Sequence, residues 1–394
     1  MTDTVERSAT AGRTPLRLLH FASFTSSFDR FMMAPMLVLI AVDLRGSVED
    51  VSQAAATYFL CYGIAQVCWA QVSDRLGRIR TMRLALTIAA VAGLASAAVP
   101  SIGWLVVARG VAGGSFAAAI PSTLVYIGDT VPVNVRQAPL TDLMTSTSLG
   151  IAAATVAGGA IAEFASWRVA FALTAVVAGV LAIVMRRLTE PPLPPRTPIR
   201  TSARVVLGNP VALLVLGLAM LEGMVLLGTL TFLPTVLHAT GLSVAVAGLL
   251  TAAYGVAVLL FARIVKRRST VARPANLILI GGSAATAAYL LLSIDHRAVA
   301  VVVATVLIGA GWAFMHSTMQ TWATDMAPNA RATAVSLFAA ALFTGSAIST
   351  AVLGPLVDGG RFQLAFLLSL SVAAPLTVVA TIGRRRYRTR GHVA

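Results

Sequence analysis

Charge is scarce in this chain. Asp, Glu, Lys and Arg make up 11% of its 394 residues, against 57% hydrophobic residues. That balance excludes an ordinary soluble domain, whose surface needs more polar side chains to cover a core. Polar faces at a 3.6-residue period are missing from most apolar segments, which excludes a soluble helical bundle. Cysteine is nearly absent. Cys61 and Cys68 stand seven apart in one apolar run, on one helical face, which suits neither a disulfide framework nor metal-ligand spacing and leaves them as packing residues. There is no Walker loop, no His/Cys set at metal spacing and no nucleophile–base pair that stands out. Neither an enzyme nor a nucleotide-driven machine is expected, and no cofactor or metal.

What the chain has is long apolar runs. A membrane-spanning helix needs ~20 mainly apolar residues, because its backbone must satisfy itself in lipid. That rule predicts twelve spans, at 17–41, 52–72, 82–100, 103–127, 138–162, 167–186, 209–235, 244–265, 275–293, 298–322, 332–356 and 362–382. The fold class is an all-α polytopic membrane protein. The first run is too long for a signal peptide, carries Asp29 and Arg30, and leads into further spans.

The net charge of +15 invites a nucleic-acid reading, but its distribution argues against one. Arg7, Arg13 and Arg17 precede the first span; Arg75, Arg78, Arg80 and Arg83 follow the second; Arg136 follows the fourth. Arg186 to Arg204 follow the sixth, Arg263 to Arg273 the eighth, Arg331 the tenth and Arg384 to Arg390 the twelfth. The alternate loops hold a nearly balanced set: Asp43, Arg45, Glu49, Asp50, Arg168, Asp295, Arg297, Asp358 and Arg361. Arginine on every second loop is the positive-inside pattern. It predicts a multi-pass protein of the cell inner membrane with both termini cytoplasmic. The partner it implies is the lipid bilayer, and contact with anionic lipid is all that these loops need do.

The sequence repeats itself. Tyr62-Gly63-Ile64-Ala65 in span 2 returns as Tyr254-Gly255-Val256-Ala257 in span 8. Asp129-Thr130-Val131-Pro132 with Arg136 returns as Asp325-Met326-Ala327-Pro328 with Arg331. Counted from those two arginines, Gly150 and Gly345 share one offset, and Ala170-Phe171 and Ala365-Phe366 another. The reading is two pseudo-symmetric six-helix bundles, an arrangement found in transporters. The expected organisation is a tail at 1–16, bundles at 17–186 and 208–383, a linker at 187–207 and a basic tail at 384–394. Glu190-Pro191-Pro192-Leu193-Pro194-Pro195 and the arginines beyond it cannot form a spanning helix, so this stretch is read as a cytoplasmic linker.

Three motifs carry a resemblance. Asp74, Arg75, Gly77 and Arg78 fit Gly-x-x-x-Asp-Arg-x-Gly-Arg-Arg/Lys in loop 2–3, although Ala70 replaces the first glycine and Ile79 breaks the basic pair. Arg109 and Gly113 fit an arginine–glycine motif of span 4. Gly150, Gly158 and Gly159 fit Gly-x-x-x-Gly-Pro-x-x-Gly-Gly in span 5, with Ala154 and Thr155 in place of Gly-Pro. Over nearly its whole length the chain resembles a major facilitator superfamily transporter of the drug- or metabolite-efflux kind. The resemblance implies a conformational gate at Asp74, Arg75, Gly77 and Arg78, with Asp74 paired to arginines near the positive end of a neighbouring helix. In the second half, Lys266 takes that place when counted from Tyr254. Gly113, Gly150, Gly158 and Gly159 are read as helix-packing positions.

Intramembrane charges are expensive and need partners. Asp29 is twelve residues past Arg17, ~18 Å deep at 1.5 Å per residue in a core ~30 Å thick. Arg109 lies about 8 to 9 Å below the opposite face by the same rise, so the two are predicted to interact. The pair either fixes helix packing or acts as a switch that protonation of Asp29 releases. Glu222, twelve past Pro210, sits at a matching depth in the second half and joins Asp29 and Arg109 as a proton-coupling candidate. Arg30 points about 100° away from Asp29 and is read with Met33, Met36, Trp312, His316 and Gln320 as cavity lining. The expected function is secondary active transport, driven by an existing gradient. The preferred form is proton-coupled efflux of hydrophobic or cationic small molecules by a monomer. The alternatives are transport of organic anions, with Arg30 and Arg109 as counter-charges, and a non-transporting sensor or scaffold.

Overall fold

A computed structural model describes residues 2–192, 199–268 and 272–387. Among them there is no strand, and the chain is a bundle of long helices. They are α1 (Pro15–Asp43), α2 (Val48–Leu76), α3 (Arg78–Ala98), α4 (Ile102–Thr130), α5 (Gln137–Phe164) and α6 (Trp167–Arg187). A nine-residue helix, Ile199–Leu207, precedes α7 (Pro210–Ala239). Then come α8 (Val244–Arg267), α9 (Pro274–Ile294), α10 (Ala298–Asp325), α11 (Arg331–Asp358) and α12 (Phe362–Arg386). Leu193 to Pro195 of the linker and the tail beyond Tyr387 lie outside the described residues.

Among the described residues, eleven helices are long and apolar enough to cross a membrane. The twelfth, α2, has 29 residues, ~44 Å at 1.5 Å per residue, more than the hydrocarbon core requires. Its ends carry Glu49, Asp50, Asp74 and Arg75, and it packs between α4 and α11, so protein covers much of its surface. No expected span edge is off by more than four residues.

Local chemistry sets the helix starts. Ser47 and Asp50 form a reciprocal capping box on α2, Ser166 caps α6, and Ser243 caps α8. Asn209 caps α7, whose first residue is Pro210. Five helices depart from regularity midway: α4 breaks at residues 117–118 and α8 at Ala252, and three others change helical type. Ala34-Pro35-Met36 turns α1 through one 3₁₀ turn, and Met224–Gly228 of α7 and Trp312–His316 of α10 are π-helical.

The repeat is visible in packing. Gly150 of α5 lies against the Phe24 carbonyl of α1, and Gly345 of α11 against the Met220 carbonyl of α7; a Cβ at either would overlap backbone. Gly113 meets Tyr58 of α2, Gly158 meets Met32 of α1, and Gly159 meets Val244 of α8. The halves meet mainly along α2–α11 and α5–α8, where Gly248 and Gly255 of α8 press on Thr155 and Ala152 of α5. At the end opposite the arginines the halves are tied directly. Asp358 Oδ1 accepts the Val48 amide at 2.7 Å, and Glu163 Oε2 accepts the Ala245 amide at 2.6 Å. Toward the arginine-rich end residues of the same four helices, among them Gln66, Met144, Ala262 and Val335, line a cavity.

Candidate functional site: a buried charge pair beside a central cavity

Asp29 sits on α1 one turn before the Ala34–Met36 kink and is 0% exposed. Arg109 of α4 reaches it with both terminal guanidinium nitrogens, Nη2 to Oδ2 at 2.8 Å and Nη1 to Oδ1 at 3.3 Å. Nη2 also donates to the Asp29 carbonyl at 3.0 Å. Thr174 Oγ1 of α6 lies 3.0 Å from Asp29 Oδ1 and equally near the Phe171 carbonyl. The guanidinium is sandwiched between the Tyr58 and Phe171 rings, 4.6 Å from each centroid. A buried ion pair needs such additional contacts to offset its desolvation. Among the described residues the second half has no copy of this arrangement. There Thr229 of α7 shares a hydrogen bond of 3.1 Å with Ser369 of α12.

The cavity lies between the halves and holds about 270 Å³. Arg30, Tyr62 and Gln66 line it on one side, Trp312, His316 and Gln320 on the other. The Arg30 guanidinium rests over Tyr62 at 4.7 Å and over Phe343 of α11 at 5.0 Å, and donates to Ser27 Oγ at 3.2 Å. Among the described residues Arg30 makes no ion pair, and no Asp or Glu lines the cavity. Asp29 and Arg30 therefore face different compartments, one sealed and one open.

Glu222 is 0% exposed and lies behind this lining. His316 Nδ1 is 3.4 Å from its Oε2, outside hydrogen-bonding geometry, and Trp312 stacks on His316 with centroids 3.8 Å apart. Asp29 and Glu222 share a depth by residue count, but each lies within its own half. Met33 and Met36 do not line the cavity; they are buried at the α1 kink, where Ala34–Met36 packs against the Thr229–Ala239 part of α7. The π turn after Glu222 redirects backbone carbonyls. Tyr289 Oη donates to the Val225 carbonyl, and Thr229 Oγ1 to that of Met224. Such turns recur at functional positions.

The sequence matches the family model of the Major Facilitator Superfamily over residues 19–350. The chain belongs to the Major Facilitator Superfamily. It has the multi-pass, all-helical fold of that superfamily. Among curated relatives it is 26% identical over 167 residues to the MFS efflux transporter aclA of Aspergillus oryzae. It is 27% identical over 151 residues to the MFS antiporter QDR3 of Candida albicans. These matches cover 42% and 38% of this chain, and only 30% and 22% of the relatives' own lengths. The fold is that of a D-xylose-proton symporter, with TM-score 0.78, 17% identity, and 96% and 99% of the two chains covered. The nucleoside transporter NupG is similar at TM-score 0.74, 16% identity, and 95% and 98% coverage.

The superfamily's loop motif lies at the arginine-rich end. Arg78 bonds Asp74 at 2.6 Å, Asp129 at 3.1 Å and Ser73 Oγ at 3.1 Å, and is itself buried. Gly77 has φ +99°, and a Cβ there would overlap the Glu190 carboxyl. Glu190 accepts the Ile79 and Arg80 amides at 3.1 and 3.0 Å, so it is the carboxylate on the positive end of α3. Asp74 has a 57% exposed side chain. It faces a groove shared with Arg331, which borrows Pro121, Leu124 and Val335 from the cavity wall. Arg75 is exposed. The repeat of Asp129, Asp325, bonds a different element, Arg384 of α12, at 3.1 Å. Thr174, Glu190 and Glu163 escape a reading of the sequence, since each acts on a residue more than 80 positions away.

Proposed function

We propose that this chain is a proton-coupled exporter of hydrophobic small molecules, working as a monomer in the cell inner membrane. The arginine-rich end and both termini are cytoplasmic, so this conformation faces the cytoplasm. The observation that carries the coupling is the Asp29–Arg109 pair, an acid and its counter-charge sealed together between α1, α4 and α6. Neutralising Asp29 removes the ionic part of the contact between α1 and α4 and leaves the Arg109 bond to the Asp29 carbonyl. Arg30 is the next residue on α1 and leans on Phe343 of the other half, so movement of α1 reaches both the cavity and the opposite bundle. Glu222 with His316 is the titratable pair of the second half. Asp74, Arg75, Gly77 and Arg78 serve as the cytoplasmic gate, where Asp74 faces Arg331 across the open groove.

Arg30 is the one formally charged side chain lining the cavity among the described residues. That favours neutral or anionic amphiphiles over the cationic compounds expected from the two acids, which lie behind the lining. The relatives named as efflux transporters support the direction. Reconstitution in liposomes tests the reading. A proton gradient should drive dye accumulation by the native protein. Asp29→Asn should abolish that accumulation while leaving substrate binding measurable, and Arg30→Gln should weaken anionic substrates more than neutral ones. Proton-driven accumulation by Asp29→Asn at native levels would remove Asp29 from coupling and leave Glu222 as the candidate.

A further inference from the structure

A second cavity lies on the outside of the first half, at the arginine-rich end. It is a trough of about 600 Å³ between α3 and α6. Arg80 and Arg83 from the first turns of α3 and Arg186 from the end of α6 stand at its mouth. Its apolar body runs along Leu84, Val91 and Leu94, with Gly179 in its lining. From Arg80 to Leu94 that track is ~21 Å at 1.5 Å per residue, somewhat more than one leaflet of a ~30 Å hydrocarbon core.

The mouth is electrostatically unfinished. None of the three arginines makes an ion pair among the described residues. Arg83 Nε is shielded from solvent and has no hydrogen-bond acceptor. The nearby carboxylate, Glu190, is already taken by the Ile79 and Arg80 amides. A positive-inside bias accounts for arginines in this loop, but not for three of them converging on one apolar trough. Gly179 keeps that trough open: a Cβ there would touch only Ala90, at 3.6 Å, so a larger side chain would project into it.

The other half offers a related place. Between the matching ends of α9 and α12, Arg273, Arg384 and Arg385 converge with Asn276 and Tyr387 on a pocket of about 680 Å³. Arg384 is tied to Asp325, and no long apolar track adjoins it, so the α3–α6 trough is the better formed.

We propose that the α3–α6 trough binds one acidic phospholipid, its phosphate held by Arg80, Arg83 and Arg186 and an acyl chain laid over Gly179 along Leu84, Val91 and Leu94. Charge complementarity selects an anionic headgroup, and the trough selects a molecule with a tail. The test is native mass spectrometry of the purified protein with equal amounts of phosphatidylglycerol and phosphatidylcholine. The native protein should retain one phosphatidylglycerol about tenfold more than phosphatidylcholine, since each arginine at an anionic lipid surface adds attraction. Arg83→Gln and the triple variant with Arg80→Gln and Arg186→Gln should lose that preference. Gly179→Phe keeps every charge and should lose the retained lipid as well. Inorganic phosphate should not displace it. Equal retention of the two lipids overturns the proposal. So does an unaffected Gly179→Phe, which would mean diffuse attraction to arginine, and so does displacement by phosphate, which would mean a simple anion site. If the triple variant does not fold, Arg83→Gln and Gly179→Phe decide the matter between them.

Discussion

Glu163 and Asp358 occupy the same place in the two halves, and each carboxylate caps the first turn of a helix in the other half. Both stand 27 residues beyond the repeated arginine, Arg136 or Arg331. Glu163 ends α5 and holds the Ala245 amide of α8 at 2.6 Å, while Asp358 ends α11 and holds the Val48 amide of α2 at 2.7 Å. The closed end is thus fastened twice, by contacts that the repeat relates to one another. Each places a carboxylate where unpaired amides and the helix dipole favour it.

Removing both caps should loosen that end. Each is expected to be worth roughly 0.3–1 kcal/mol, so Glu163→Gln with Asp358→Asn should open it several-fold more often than either alone. A thiol at Ser243, in a background without Cys61 and Cys68, should react faster with a membrane-impermeant reagent in the double variant. An unchanged labelling rate would show that the caps do not hold the closure.

Arg109→Ala leaves the Asp29 carboxylate without its counter-charge in a site with no water access. Breaking a buried pair from one side costs about 3–5 kcal/mol, so abundance or melting temperature should fall sharply. Asp29→Asn should be milder, because the amide stays neutral and can still accept from Arg109. The double variant Asp29→Asn/Arg109→Ala should be no worse than the poorer single, as expected of groups that act as one unit. Additive losses would mean that the two residues serve separate purposes.

Asp74 and Glu190 should separate in their effects. Glu190 caps α3 within one half, so Glu190→Gln should lower thermal stability by about 1 kcal/mol. Asp74 is largely exposed and bonds only Arg78 among the described residues. Asp74→Asn should leave the folded amount unchanged and reduce turnover. Surface abundance and transport measured together distinguish the two; normal turnover at normal abundance would leave Asp74 without a part in the gate.

Topology is open to a direct check. Reporter fusions after Ser101 should read outside and fusions after Arg196 inside, from the arginine distribution alone. The reverse result would turn every loop over, and with it the direction that the cavity faces.

The spans were legible because run length and loop charge are local properties of the chain. α2 was legible with the rest although it is the least apolar of the twelve: it packs against protein, so it needs less apolar surface than its neighbours. The meeting of Asp29 with Arg109 followed from counting depth along two helices. Thr174, Tyr58 and Phe171 did not, because counting says nothing about which way a helix is turned. Glu190 read as the start of a proline-rich linker, and only the fold brings it back to α3. Met33 and Met36 were misplaced for the opposite reason. A regular helix would keep them beside Asp29, but Pro35 turns the chain and buries them between the halves at the closed end.

The sealed pair and the open cavity share helix α1 but no lining. Asp29 and Arg109 are absent from the cavity wall, while Gln66, Thr147 and Gln320 belong to it. Residues that line the cavity can therefore change by mutation without disturbing the charges packed behind them. On the proposed function, a lineage built on this plan is free to drift in diet while the buried charges stay constant, and kinship in those residues need not mean kinship in what is carried.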